Sequence, residues 1–206
     1  QVTVNRVVGG PRSCIGLSDL GRRQATNLRN RWTKNAEFTP DLVISSAYPR
    51  AKETAEIVLP AFAGRSIEVI PEFGEHDPGP QCDGLKYTEF TERFGDPDWE
   101  NDPYGVTFPG GETIAEFQIR IGAATRALIE RVGAGTAVVF CHGGVVDTVL
   151  RQALRTSGTG IFEIHTKNTS ITEFVIVRPG RSRLVRYNDA AHTADLPAST
   201  NRPEDF

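Results

Sequence analysis

The stretch Ala137-Val138-Val139-Phe140-Cys141-His142-Gly143-Gly144 decides the fold. A continuous apolar run, rich in valine and closed by glycine, reads as a short strand buried on both faces. Val145 to Leu154 then carries apolar residues at helical spacing. His142 therefore stands where a central strand hands over to a helix. In open α/β sheets ligands bind at that junction, and the amides of a helix N-terminus attract anions. His142 is expected to form half of a phosphate site.

Working outward, Asp41-Leu42-Val43-Ile44-Ser45-Ser46 has the same form, a buried strand ending in small polar residues. Pro49 opens the next helix at about its first position, the one place where proline favours helix. Ile67 to Ile70 is a third strand. Nearer the N-terminus, Gln1 to Leu17 reads as a loop and Ser18 as an N-cap. Leu20, Gln24, Leu28 and Trp32 then form one helical stripe, while Arg22, Arg23, Arg29 and Arg31 read as a solvated face. Pro71 to Leu85 is an irregular polar loop with Glu72, Glu75, His76, Asp77 and Asp83, long enough to be functional or disordered. Tyr87 to Phe94 reads as a short helix. Gly95 to Gly111 is loop, and its Trp99, Tyr104 and Phe108 read as a local packing cluster. Both loops are also expected to line a pocket mouth and admit a partly apolar leaving group. Glu112 to Val132 is the longest helix. Ile171 to Val177 and Arg183 to Tyr187 form a hairpin across Pro179 to Ser182. Strands alternating with helices predict an α/β three-layer sandwich. Its central sheet is mostly parallel, with an antiparallel C-terminal hairpin, in one domain over residues 1–206.

Composition narrows the function classes. The 206 residues carry 23 Lys and Arg against 26 Asp and Glu, a net charge of −3. That balance offers no basic face for nucleic acid. No apolar run approaches the ~20 residues of a membrane span. Cys14, Cys82 and Cys141 are too few for a disulfide framework and form no Cys-x-x-Cys pair, which points to a reducing, cytoplasmic setting. The chain has no Met, so Gln1 is not a translation start. A preceding segment is therefore expected, and a removed targeting segment stays open.

Two junctions carry chemistry: Ser45, Ser46 and Arg50 at one, His142, Gly143 and Gly144 at the other. Arginine presents a fork of donors suited to phosphate oxygens. Histidine can serve as nucleophile, acid or charge stabiliser near neutral pH. The acidic loop between them in sequence adds Glu75, since a carboxyl group can protonate a leaving oxygen. Together these are parts for phosphoryl transfer without a metal.

The order of these parts resembles the histidine phosphatase superfamily, in its phosphoglycerate mutase-like branch. Leu17-Ser18-Asp19-Leu20-Gly21-Arg22-Arg23-Gln24-Ala25 resembles the family's first helix. Ser45-Ser46-Ala47-Tyr48-Pro49-Arg50-Ala51-Lys52-Glu53-Thr54-Ala55 is similar to its Ser-Ser-x-x-x-Arg-Ala-x-x-Thr-Ala segment. Pro109-Gly110-Gly111-Glu112-Thr113, Cys141-His142-Gly143-Gly144-Val145 and Asn168-Thr169-Ser170-Ile171 follow in the family's order. The resemblance implies a phosphoglycerate mutase-like fold and a histidine nucleophile that passes through a phosphohistidine. It implies two arginines and a second histidine on the phosphoryl oxygens, and a carboxylic acid for the leaving group. By position it makes Arg50 one arginine, His142 the second histidine and Glu75 the acid, with Glu72 as runner-up. It adds Asn5 and Gly143 to the phosphate contacts. The family's Arg-His-Gly motif, which supplies the nucleophile, is absent, although Gln1-Val2-Thr3-Val4-Asn5 resembles the residues that follow it. A first strand bearing that motif is thus expected before Gln1.

The implied function is a metal-independent phosphatase acting on small phosphomonoesters, with no cofactor. A phosphoglycerate mutase-type phosphotransferase is the alternative. Asp96 to Pro109 has no Lys or Arg, however, and would serve a strongly anionic bisphosphate poorly. A non-catalytic phosphate-ester binding protein is the reading if the nucleophile is truly absent. His76 neighbours Glu75 and is expected to tune it, whereas His165 and His192 read as structural. The expected partner is a small-molecule phosphate ester, not nucleic acid or membrane, and a homodimer is left open.

Overall fold

The structure is a computed structural model that describes residues 7–96, 98, 104, 108–157 and 164–197. Three short strands form a parallel sheet: β1 (Leu42–Ser45) lies between β2 (Ile67–Val69) and β3 (Ala137–Phe140). Alternation along β1 builds the layers. Val43 points into a cluster with Ala25, Leu28, Trp32, Ala55, Val58, Phe62 and Phe140. Its neighbour Ile44 points the other way, into a cluster with Phe73, Phe117, Ile121 and Val145. Successive strand side chains face opposite sides, so a strand buried on both needs helices on both.

One helical layer holds α1 (Asp19–Asn35) and α2 (Pro49–Val58). The Ser18 hydroxyl caps α1 by accepting the Gly21 N–H at 3.2 Å, and Gln24, Ala25, Leu28 and Trp32 form its buried face. The glycine at 21 lets the helix close on Leu17, whose Cδ2 would stand 3.2 Å from an added Cβ. A single carboxylate joins the two helices: Glu53 of α2 accepts the Leu17 N–H and the Arg22 Nε–H, each at 2.6 Å.

Two short helices follow in the chain, α3 (Gly79–Cys82) and α4 (Tyr87–Phe94), whose Cys82 and Phe90 share a cluster with Val8. The opposite layer holds α5 (Ile114–Val132) and α6 (Gly143–Leu154). α5 starts at a reciprocal capping box between Thr113 and Glu116, two residues later than the sequence suggests, because Thr113 is the cap and not the first turn. β4 (Ile171–Arg178) and β5 (Arg181–Asp189) form an antiparallel hairpin around Pro179-Gly180, with Gly180 at φ +74°.

Four expectations need correction. The hairpin is a sheet of its own and does not close the parallel one, among the described residues. β3 is only half-buried except at Phe140, although Val138 and Val139 pack on the clusters of the two opposite faces. The 71–85 loop is neither long nor open. A 3-10 turn at Pro71–Phe73 and α3 fill it, and Phe73, Pro78 and Cys82 are buried. Arg31 is not solvated: it sits between Glu37 and Asp189 at 2.6 Å from each and ties α1 to β5. Phe108 is a packing residue, as its aromatic character suggests: it lies on the rings of Phe90 and His76, against a cluster of Val8, Cys82 and Phe90. Asn5 and Trp99 lie outside the described residues.

Candidate active site

β1 and β3 are parallel neighbours, so both turn into helices at the same end. The ladder runs one residue further, with the Ser46 N–H donating to the Phe140 carbonyl at 3.0 Å. The N-termini of α2 and α6 therefore stand side by side. α2 has no acidic residue in its first turn but carries Arg50 there. α6 has none either, and His142 is its N-cap residue. Two helix N-termini and an arginine give this end of the sheet a positive potential suited to an oxyanion.

The side chains interlock. Ser46 Oγ lies 2.7 Å from His142 Nε2, and the Tyr48 N–H donates to the same Oγ at 3.3 Å. The Tyr48 ring meets the imidazole edge-on, with centroids 4.9 Å apart. The Arg50 guanidinium also lies over the Tyr48 ring, 4.6 Å from its centroid. Arg50 Nη1 is buried and has no hydrogen-bond partner among the described residues. A buried charged donor left without an acceptor is costly, which makes this atom the point at which the site asks for an anion.

Glu75 reaches the same place from the acidic loop. Its carboxylate accepts the Gly144 N–H at 3.2 Å and the His76 N–H at 3.1 Å. Glycine at 144 leaves room for this carboxylate, since an added Cβ would stand 2.3 Å from Glu75 Oε1 and push it aside. Glu72 does not take part. It is exposed and lines a separate surface hollow with Ile70, Ala124, Leu128 and Arg131. The structure thus brings Arg50, Glu75, His142 and Gly143 together and leaves Glu72 out.

The sequence reading missed what holds Glu75. Arg120 of α5 grips Glu112 with two bonds of 2.7 Å and donates to the carbonyls of Glu72, Gly74 and Glu75. Its spacing from Glu112, about two helical turns along a stripe bearing Phe117 and Ile121, was the available signal. The Pro109-Gly110-Gly111 turn packs backbone against backbone on the acidic loop. A Cβ at Gly79 would meet the Gly110 carbonyl oxygen at 2.2 Å, and one at Gly111 would meet that of Asp77 at 2.6 Å. His76 is turned away: its ring bonds the Glu112 carbonyl at 2.6 Å and touches Phe108 and Phe117. It meets Glu75 only through its backbone.

Burial sets the protonation states. It pushes the His142 imidazole well below its ordinary value, and the charges of Arg50 and Arg120 add to that. His142 is neutral at neutral pH. Burial also pushes the Cys141 thiol up to about 12, so it is no nucleophile. The Tyr48 phenol is raised by burial and donates to the Glu75 carbonyl at 3.2 Å.

A sequence profile of the histidine phosphatase superfamily (branch 1) matches residues 4–190. The chain belongs to this superfamily. It is 25% identical over 181 residues to a phosphoglycerate mutase-like protein 4 of Arabidopsis thaliana, covering 86% of this chain and 76% of that protein. The superfamily fold is equally plain in solved structures. The alpha-ribazole phosphatase of Shigella flexneri superposes with a TM-score of 0.79 at 21% identity, over 92% of each chain. A phosphoserine phosphatase mutant of Entamoeba histolytica, solved with phosphoserine, superposes with a TM-score of 0.73 at 23% identity, over 92% of this chain and 91% of that one.

Proposed function

We propose that the protein is a phosphatase of small phosphomonoesters. The buried, unpartnered Nη1 of Arg50 beside a neutral His142 carries this reading. A phosphoryl group set between them receives the Arg50 fork, a histidine N–H and the Gly143 amide at the start of α6. Such donors, fixed before the substrate arrives, stabilise charge that develops on the phosphoryl oxygens. Glu75, anchored one residue past Gly143, is the acid for the leaving oxygen. Each residue acts without a metal ion.

The nucleophile is a histidine other than those of the described residues. His142 serves as stabiliser, the rings of His76 and His192 bond the Glu112 carbonyl and the Thr169 hydroxyl, and the backbone of His165 is held beside β5, its carbonyl accepting from Tyr187 and Asn188. We place it on a strand that pairs with β3 and lies outside these 206 residues. In support, β3 pairs only with β1, and β4 only with β5, among the described residues. The mass of the intact native protein tests this: 22.5 kDa, the mass of the 206 residues, would overturn it and leave a phosphate-ester binding protein.

The activity is tested with p-nitrophenyl phosphate and a panel of phosphomonoesters, with and without EDTA. Turnover that survives EDTA and is lost in Arg50→Ala and His142→Ala is expected. An inert native protein, or one abolished by EDTA, would refute the proposal. The absence of Lys and Arg from Asp96 to Pro109 argues for hydrolysis over a mutase reaction on bisphosphates. Free Cys14, Cys82 and Cys141 support a reducing compartment.

A further inference from the structure

We infer that Ser46 is a positioning residue that locks His142 as the neutral tautomer with its proton on Nδ1. The inference rests on the phosphate site proposed above but not on turnover. Ser46 is fully buried, at 0% exposure, so its hydroxyl proton has no water to meet. Among the described residues the Oγ has two neighbours within hydrogen-bond reach, the Tyr48 N–H at 3.3 Å and His142 Nε2 at 2.7 Å. The Tyr48 N–H can only donate, so it fills one Oγ lone pair. The hydroxyl proton then needs an acceptor, and Nε2 is the one in reach. If Nε2 carried a proton instead, Oγ would accept twice and its own proton would be buried without a partner. An orphaned buried donor is expensive, and this one sits in the driest part of the site.

The consequence reaches the ligand. A hydroxyl that donates to Nε2 leaves the single imidazole proton on Nδ1. Nδ1 makes no hydrogen bond among the described residues, and His142 is only 8% exposed. It is thus a fixed donor held for an oxyanion. The Tyr48 ring, edge-on to the imidazole, keeps the plane from turning. The same hydroxyl opposes a second proton on the ring. The charged groups around it are Arg50 on α2, Arg120 on α5 and Glu75 on the acidic loop, with Tyr48 and Cys141 as the other titratable neighbours. His142 therefore contributes a hydrogen bond whose strength does not change across neutral pH, and it neither gains nor loses a proton in the reaction cycle.

Nitrogen-15 NMR of the native protein labelled at histidine reads the tautomer directly, without substrate. The His142 pair is expected to show a bare Nε2 and a protonated Nδ1 from about pH 5 to 8, the range in which an ordinary histidine titrates. A protonated Nε2 in the wild type would overturn the inference, even in an active enzyme. Conversely, the expected tautomer in an inert protein would leave it standing while the phosphatase reading fell. In Ser46→Ala the two tautomers should mix and His142 should begin to titrate in that window. The affinity for inorganic phosphate should fall about tenfold at neutral pH and become pH-dependent. Ser46→Thr, which keeps the hydroxyl, should restore the single tautomer. A Ser46→Ala protein that keeps one tautomer and unchanged phosphate affinity would assign Ser46 to packing alone.

Discussion

β1 is buried at three of its four positions, and at its end Ser46, His142, Tyr48 and Glu75 are matched partner to partner. The β4–β5 hairpin exposes Val175, Ile176, Val177, Leu184 and Val185 and is tied to α1 by charge. There, Arg31 bridges Glu37 and Asp189, while Arg186 bonds Glu37 and Glu173 and lies over the Phe38 ring. The difference teaches where each region is sensitive. Packed backbone and directed hydrogen bonds fail when an atom is added or lost. An ion network fails when the solution changes.

The largest effect is expected at Arg50, whose buried Nη1 lacks a hydrogen-bond partner among the described residues. Arg50→Ala should lower kcat/KM on phosphomonoesters by roughly 10²-fold or more, as loss of a preorganised charge stabiliser does. Its thermal stability should fall only modestly, because Nη1 has no hydrogen-bond partner among the described residues and the loss is the contact with the Tyr48 ring. A large fall in Tm would assign Arg50 to the scaffold and break the contrast.

Next comes added volume. Gly79→Ala places a Cβ 2.2 Å from the Gly110 carbonyl oxygen, at φ +71°. The two strains together should cost about 2–4 kcal/mol, read as a lowered denaturant midpoint, with activity lost as Glu75 shifts. Unchanged stability would show that the turn yields.

The third effect belongs to solution conditions. Its bonds with Arg31 and Arg186 hold the Glu37 carboxyl at about 2, down from an ordinary 4.5, and Asp189 is lowered in the same way, chiefly by Arg31. A depressed carboxyl stabilises the fold above its unfolded value and loses that contribution as pH falls through the folded one. Stability should therefore decline between about pH 4.5 and 2, by about 1–2 kcal/mol for Glu37 once solvent screening is allowed for. Glu37→Gln should flatten that slope and reduce the salt dependence. A slope that persists in the variant would move the acid sensitivity elsewhere.

The smallest effect is expected at the exposed hairpin. Val175→Thr should change stability by no more than about 0.5 kcal/mol. A larger loss would mean that the hairpin is covered in the protein tested, and would turn the comparison around.

Much of this architecture was legible in the chain. Val43 and Ile44 are both apolar and adjacent, which already requires two packing faces. Ser18, Pro49 and the run into His142 marked element ends through local chemistry. What stayed hidden was nonlocal. Arg31 looked like its neighbours on a polar helix until Glu37 and Asp189, 158 residues apart from it in the latter case, closed around it. Pro71 to Leu85 looked loose, because its order comes from Gly110, Gly111 and Arg120. At the site, Arg50, Glu75 and His142 could be named from residue type and position. Ser46 Oγ as the partner of Nε2 could not, since that needs β1 and β3 to be neighbours.

One further contact shows what kind of order each part of the protein has. The backbone N–H groups of Gly10, Arg12 and Ser13 all converge on the Asp83 carboxylate, at 2.9, 2.7 and 3.1 Å. This is an anion nest whose anion is part of the chain. A tethered anion acts at an effective concentration of roughly millimolar or above, whatever the medium holds. The Gly10 to Ser13 loop therefore keeps its shape in water without phosphate. The Arg50 end has no such tether, so its occupancy follows the phosphate concentration.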